Sequence, residues 1–268
     1  MLPLFPPGAQ QNGGWDLTNA AYASKSKDIS AQVTNPASVT FDSAGNRMYV
    51  TDQGNKVYQY TLSTPYDVST ASYASKSFTI EGTSNAWGFR FNDDGLKAYS
   101  GSNITDTLYQ YTLSSAYDLS TITYASKSLD VSGQINVVRG FWMKPDGTAV
   151  YVVNQNDDTI YQYTLSTPWD LSTGSYASKS YSVTNEATNP GDLAIKPDGI
   201  TLIVMNQNGV LYQYTLGTPW DISTATYASV TFSAATQDNT TGGIFINNDG
   251  DHLYITGDIT DRVYQYDL

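Results

Sequence analysis

The stretch "WDLTNAAYASKSKDI", residues 15–29, decides the fold. It reads as a connector, an aromatic-Asp-aliphatic triplet followed by turn-forming polar residues, and then one β-strand. Close copies recur along the chain, and each later copy is preceded by three further strands, whereas this first one is not. At the far end the chain supplies three strands after its last copy and stops at Leu268. The two fragments complete one another. An open β array would present two rows of unpaired backbone groups, and pairing its first strand with its last removes both edges.

The markers of repetition run in step. Tyr-Gln-Tyr begins at Tyr58, Tyr109, Tyr161, Tyr212 and Tyr264, with spacings of 51, 52, 51 and 52 residues. The connector triplet is centred on Asp16, Asp67, Asp118, Asp170 and Asp221, and a turn glycine recurs at Gly45, Gly95, Gly147, Gly199 and Gly250. The third repeat shows four short strands: "VRGFWMK" (A), a turn at "KPDG", "TAVYVVN" (B), "TIYQYTL" (C), the connector "STPWDLST", and "YASKSYSV" (D). Pro145 presets a type I turn and Gly147 supplies the positive φ that a following bulge requires. Four-stranded units at this period cannot bury both faces alone and must stack on their neighbours. The expected fold is therefore all-β: a five-bladed β-propeller of four-stranded antiparallel blades over residues 15–268, with an N-terminal extension at 1–14 and the N-terminal strand completing the last blade.

Composition agrees, with 22 tyrosines among 268 residues and only 14% charged. The net charge of -12 speaks against a phosphate backbone or an anionic lipid surface, so neither nucleic acid nor membrane insertion is expected. There is no cysteine, hence no disulfide framework or thiolate metal site. The opening "MLPLFPPGAQQNGG" lacks the basic start and long apolar run of a signal peptide.

The block "KPDGTAVYVVNQNDDTIYQYTL", residues 144–165, resembles the YVTN and NHL classes of propeller repeat. The longer unit that adds "STPWDLST" and "YASKS" is similar to propeller repeats encoded by marine bacteriophages and some aquatic bacteria. That resemblance implies a virion or extracellular location and other virion proteins as partners. It does not assign an activity, because propellers host many.

Catalytic chemistry finds little to work with. His252 is the only histidine and starts a strand where other repeats carry Arg47, Lys97, Ala149 or Thr201, a poor place for a triad base or a zinc ligand. Paired acids near the axis would suit a polysaccharide hydrolase, yet the positions seven before the turn glycines are Ser38, Gly88, Gly140, Asp192 and Gly243. Acidic loops such as "NDDG" at 92–95 are explained by turn chemistry without calcium. No catalytic residue, metal or cofactor is assigned.

Comparison of the repeats shows where recognition would sit. The loops before strand A and between B and C vary, and in a propeller they share one face; the turns and connectors of the other face are uniform. Near the axis of the varied face, Trp87, Arg139 and Asp192 would form an off-centre pocket for a sugar or small anion, with Arg90 and Trp142 on the same inner strands. In the alternative these residues plug the channel and Arg139 pairs with Asp192. The connector aromatics Trp15, Tyr66, Tyr117, Trp169 and Trp220 are expected on the blades' outer ends, either as packing or as five rim platforms of a ring-shaped lectin. Gln59, Gln110, Gln162, Gln213 and Gln265 should bond a neighbouring blade's backbone. Lys25, Lys76, Lys127 and Lys179 should guard the outer edge against strand pairing. The function these features imply is non-enzymatic binding or adhesion, a surface module recognising a cell-surface glycan. A purely structural virion component, a spacer or docking hub, is the alternative, and a glycosidase ranks third.

Overall fold

Alternating side chains along strands that face a neighbour on each side produce a stack of sheets, and closure turns the stack into a disc. The computed structural model describes residues 14–81 and 85–268; the extension at 1–14 lies, apart from Gly14, outside them. Blade 1 comprises β2 (Pro36–Phe41), β3 (Arg47–Asp52), β4 (Lys56–Leu62) and β5 (Ala71–Thr79). Blade 2 runs from β6 (Ala86–Phe91) to β9 (Ile122–Asp130), blade 3 from β10 (Val138–Met143) to β13 (Gly174–Ser182), and blade 4 from β14 (Pro190–Ile195) to β17 (Ala225–Ser233). Blade 5 is β18 (Thr241–Ile246), β19 (His252–Gly257) and β20 (Arg262–Asp267), completed by β1 (Ala21–Asp28). The closing pair is antiparallel, with Tyr22 opposite Tyr266, Lys25 opposite Gln265 and Asp28 opposite Arg262.

The hydrophobic cores lie between blades, as a stack requires. Val153 and Ile160 of blade 3 pack with Leu193, Leu202, Val204 and Tyr214 of blade 4, and each other seam has an equivalent cluster. Because blades bury their faces only against one another, none has a core of its own.

Three polar clasps repeat across these seams. First, each Gln of strand C accepts the N–H of the residue after the next connector's Asp: Leu119 N to Gln59 at 3.1 Å, Leu171 N to Gln110 at 2.9 Å, Ile222 N to Gln162 at 3.1 Å, Leu17 N to Gln213 at 3.1 Å and Val68 N to Gln265 at 3.2 Å. The expected interblade role of the glutamines is thus what the fold uses them for. Second, a strand B tyrosine donates its hydroxyl to the carbonyl of the next connector's aromatic: Tyr49 to Tyr117, Tyr99 to Trp169 at 3.0 Å, Tyr151 to Trp220 at 2.7 Å and Tyr254 to Tyr66 at 2.7 Å.

Third, the strand D lysines are not simply edge guards. Lys25, Lys76, Lys127 and Lys179 reach across to Asp67, Asp118, Asp170 and Asp221 of the next blade at 2.5–2.8 Å. The seam from blade 4 to blade 5 keeps only the glutamine clasp, because Ile203 and Val230 stand where the tyrosine and lysine would be. Those two side chains pack with Trp15 and Leu17 instead.

The lysine clasps make stability depend on acid. The hydrogen bond from Lys76 holds the Asp118 carboxyl down at about 2, and that from Lys127 lowers Asp170. A carboxyl depressed in the folded state stabilises above its unfolded pKa and loses that contribution as pH falls through the folded value. Urea midpoints should therefore decline from about pH 4 towards pH 2. A combined Lys76→Ala, Lys127→Ala variant should show a shallower decline, and at neutral pH it should lose no more than about 1 kcal/mol per pair, since these groups are half-exposed and screened. Identical acid limbs in the two proteins would dismiss the clasps.

Candidate functional site

The inner strands meet at the axis, and their small residues let one ion pair fill it. Gly140 and Gly243 lie directly against Asp192; a Cβ on Gly140 would stand 2.7 Å from the Asp192 Cα. Asp192, 1% exposed, receives Arg90 Nη2 at 2.9 Å and the backbone N–H groups of Ile244 and Leu193, each at 2.9 Å. Arg90 also donates to the carbonyls of Val39 at 3.0 Å, Phe89 at 3.2 Å and Ile244 at 2.9 Å, and its guanidinium lies over the Trp142 ring at 5.6 Å. One side chain of blade 2 thus touches all four other blades. Burial pushes the Asp192 carboxyl up, opposed by the Arg90 charge and the two backbone donors.

This arrangement corrects the expected pocket of Trp87, Arg139 and Asp192. Asp192 pairs with Arg90 rather than Arg139, and its oxygens are occupied inside the plug. Trp87 is buried, with its indole N–H donated to Asn85 at 2.7 Å. Arg139 stacks on the Trp87 ring at 4.0 Å and donates to Gln155 at 2.6 Å; burial pushes its guanidinium down to about 10. A β-bulge interrupts each inner strand between these positions, in blade 3 between Val138 and Phe141, so Arg139 and Trp142 do not follow simple alternation.

An axial opening lies on the other face. A cavity of about 270 Å³ is lined by residues of all five blades at the ends of their inner strands, beside the turns. Arg90 and Trp142 line it, together with Trp15, Tyr66, Tyr117 and Trp169. Four of the five connector aromatics therefore face the axis, not the outer ends of the blades; Trp220 does not line the cavity and lies under Lys144 Nζ at 5.9 Å.

Local geometry explains the inward turn. Each connector aromatic has a positive φ, from 60° at Tyr66 and Tyr117 to 68° at Trp15, a conformation bulky residues rarely adopt. The conformation is held because the aromatic's N–H bonds the carbonyl of its own blade's turn glycine, as Trp169 does to Gly147 at 2.9 Å, and the ring covers that glycine's bare face. The next residue, Asp170, then caps a short 3-10 turn by accepting the Ser172 N–H at 3.1 Å, and the other four connectors do likewise.

The cavity's walls differ in chemistry. Blades 3 and 4 contribute Trp142, Met143, Pro145, Trp169, Ile195 and Pro197, and blades 1, 2 and 5 bring Asp42, Ser43, Asp93 and Asn248 among their aromatics. Asp42 is engaged with its own turn, accepting the N–H groups of Asn46 at 2.8 Å and Arg47 at 3.1 Å. His252 is not in this wall and sits 3.0 Å from Asp267. The acidic loop residues mostly serve their own backbone, as Asp94 accepts Leu96 N at 2.7 Å. The sequence signal for this site is the pairing of every turn glycine with a connector aromatic, whose ring covers it.

Neither protein-family models nor curated proteins give a match to this chain. Among solved structures, a functionally unknown protein from Desulfotomaculum acetoxidans DSM 771 is similar at TM-score 0.49 and 13% identity, covering 83% of this chain and 62% of that one. A structure described as a "putative 6-phosphogluconolactonase" from Bacteroides uniformis ATCC 8492 gives TM-score 0.49 and 13% identity over 83% of this chain and 64% of its own. The chain thus spans a little under two-thirds of the length of each. Its own strand order makes it a five-bladed β-propeller of four-stranded antiparallel blades, closed by its N-terminal strand.

Proposed function

We propose that this propeller is a non-enzymatic binding or adhesion module of a bacteriophage particle or another extracellular surface, and that it recognises a cell-surface glycan. The observation that carries the reading is the axial cavity walled by aromatic rings from several blades, since sugar rings present C–H faces that pack on π surfaces and hydroxyls that need polar neighbours. The virion or surface setting rests on the repeat motif's resemblance to phage-encoded propellers.

The test is a screen of the purified protein against surface polysaccharides of aquatic bacteria, with Trp169→Ala as the comparison. Binding by the parent chain that falls at least about tenfold in the variant is expected, the size of loss typical when a buried aromatic anchor is truncated. Retained melting behaviour of the variant would separate lost contact from lost fold. An empty screen would favour a structural ring, a spacer or docking hub, in which the connector aromatics only cover the turns. Sugar release from a polymer would instead point to a glycosidase.

A further inference from the structure

We infer that the group entering the axial cavity is an uncharged sugar ring, and that acidic sugars are turned away. The inference rests on the glycan reading above and narrows it to a ligand class.

Size is the first constraint. A cavity of about 270 Å³ falls just below the roughly 300–1,000 Å³ of sites that enclose drug-sized ligands, so it takes one ring or little more of a longer chain.

The two-sided wall is the second. Trp142, Trp169, Pro145 and Pro197 offer an apolar, partly aromatic surface to a ring's C–H face, while Asp93, with Ser43 and Asn248, offers oxygen acceptors to its hydroxyls. The Asp93 carboxylate has no hydrogen bond or ion pair of its own among the described residues.

Charge is the third and decides the class. Among the described residues Arg90 is the only cation in the wall; Asp192 together with the Val39, Phe89 and Ile244 carbonyls uses both of its terminal nitrogens, and the one N–H left without a partner, at Nε, is itself buried. Lys144 and Lys196, on the nearby turns, are paired with Asp146 at 2.7 Å and Asp198 at 3.3 Å and lie outside the wall. A carboxylate or sulfate group entering the cavity would meet Asp42 and Asp93 with no free cation to answer it, inside a chain of net charge -12. Like charges brought together across an interface weaken binding.

Titrations monitored by tryptophan fluorescence and calorimetry at low salt test this, with a panel of neutral hexoses each matched to its uronate. At least one neutral hexose should bind, its uronate should bind at least about tenfold more weakly, and Asp93→Asn should shrink that ratio by about threefold or more. The signal should be lost in Trp169→Ala. Equal or tighter binding of uronates would overturn the inference while leaving the glycan reading intact. So would polysaccharide binding that no hexose competes for and that Trp169→Ala does not alter. Absence of binding to every sugar and polysaccharide would bring down both.

Discussion

Asp192→Ala should lower stability by about 3–5 kcal/mol. The loss comes from what remains. Arg90 stays buried at the axis with its ionic partner gone, and Ile244 and Leu193 lose the acceptor for their N–H groups. A buried guanidinium held by carbonyls alone has lost the opposite charge that offset its desolvation. For a domain of this size the change corresponds to a melting point lower by roughly 6–20 °C.

The cycle with Arg90→Met separates a lost ion pair from a lost shape. Removing both charges should recover most of the stability, because replacing a buried pair by apolar groups is often neutral even where breaking it is severe. Urea titrations of the parent, both single variants and the double variant would give the coupling. A loss under about 1 kcal/mol for Asp192→Ala, within the ordinary range for point mutants, would show that the pair is not the hub described.

Gly147→Ala should cost about 2–5 kcal/mol, although it adds one methyl group. The left-handed backbone at Gly147, φ 71°, charges a residue with a Cβ about 1–2 kcal/mol. The added carbon would also strike the Trp169 ring, and overpacking of that kind costs about 1–3 kcal/mol. Any retreat of the ring moves a wall of the axial cavity. Sugar binding should therefore fall together with stability. Gly133→Ala is the control: its Cβ would meet nothing within 4 Å, and its effect should stay within about 0.5 kcal/mol. Equal melting points for the two alanine variants would refute the coupling of turn to connector.

The architecture was legible because period, turn chemistry and strand alternation all point to one answer. Even ring closure could be read, from the connector and strand at residues 15–29 that complete a blade begun near Thr241. The partnership of Arg90 with Asp192 was not legible. Arg139 falls within the blade 3 bulge between Val138 and Phe141, whereas Arg90 follows the blade 2 bulge between Trp87 and Phe89, and strand alternation does not carry across a bulge. The lysine clasps were missed for another reason. Lys76 and Asp118 are each explained by their own strand or turn, and only the stacking of blades places them 2.7 Å apart. The aromatic wall depended on five bulky residues at positive φ, a conformation that residue type alone argues against.

The seam between blades 4 and 5 gives the ring an uneven response to its surroundings. Acid neutralises the aspartates of the other four seams, and added salt weakens their lysine pairs through screening. Neither condition touches Ile203 and Val230 packed on Trp15 and Leu17. Cooling weakens the apolar burial that all five seams share. The same disc thus has four joints that respond to ions as well as to cold and one that responds to cold alone, and that one is where the first connector docks.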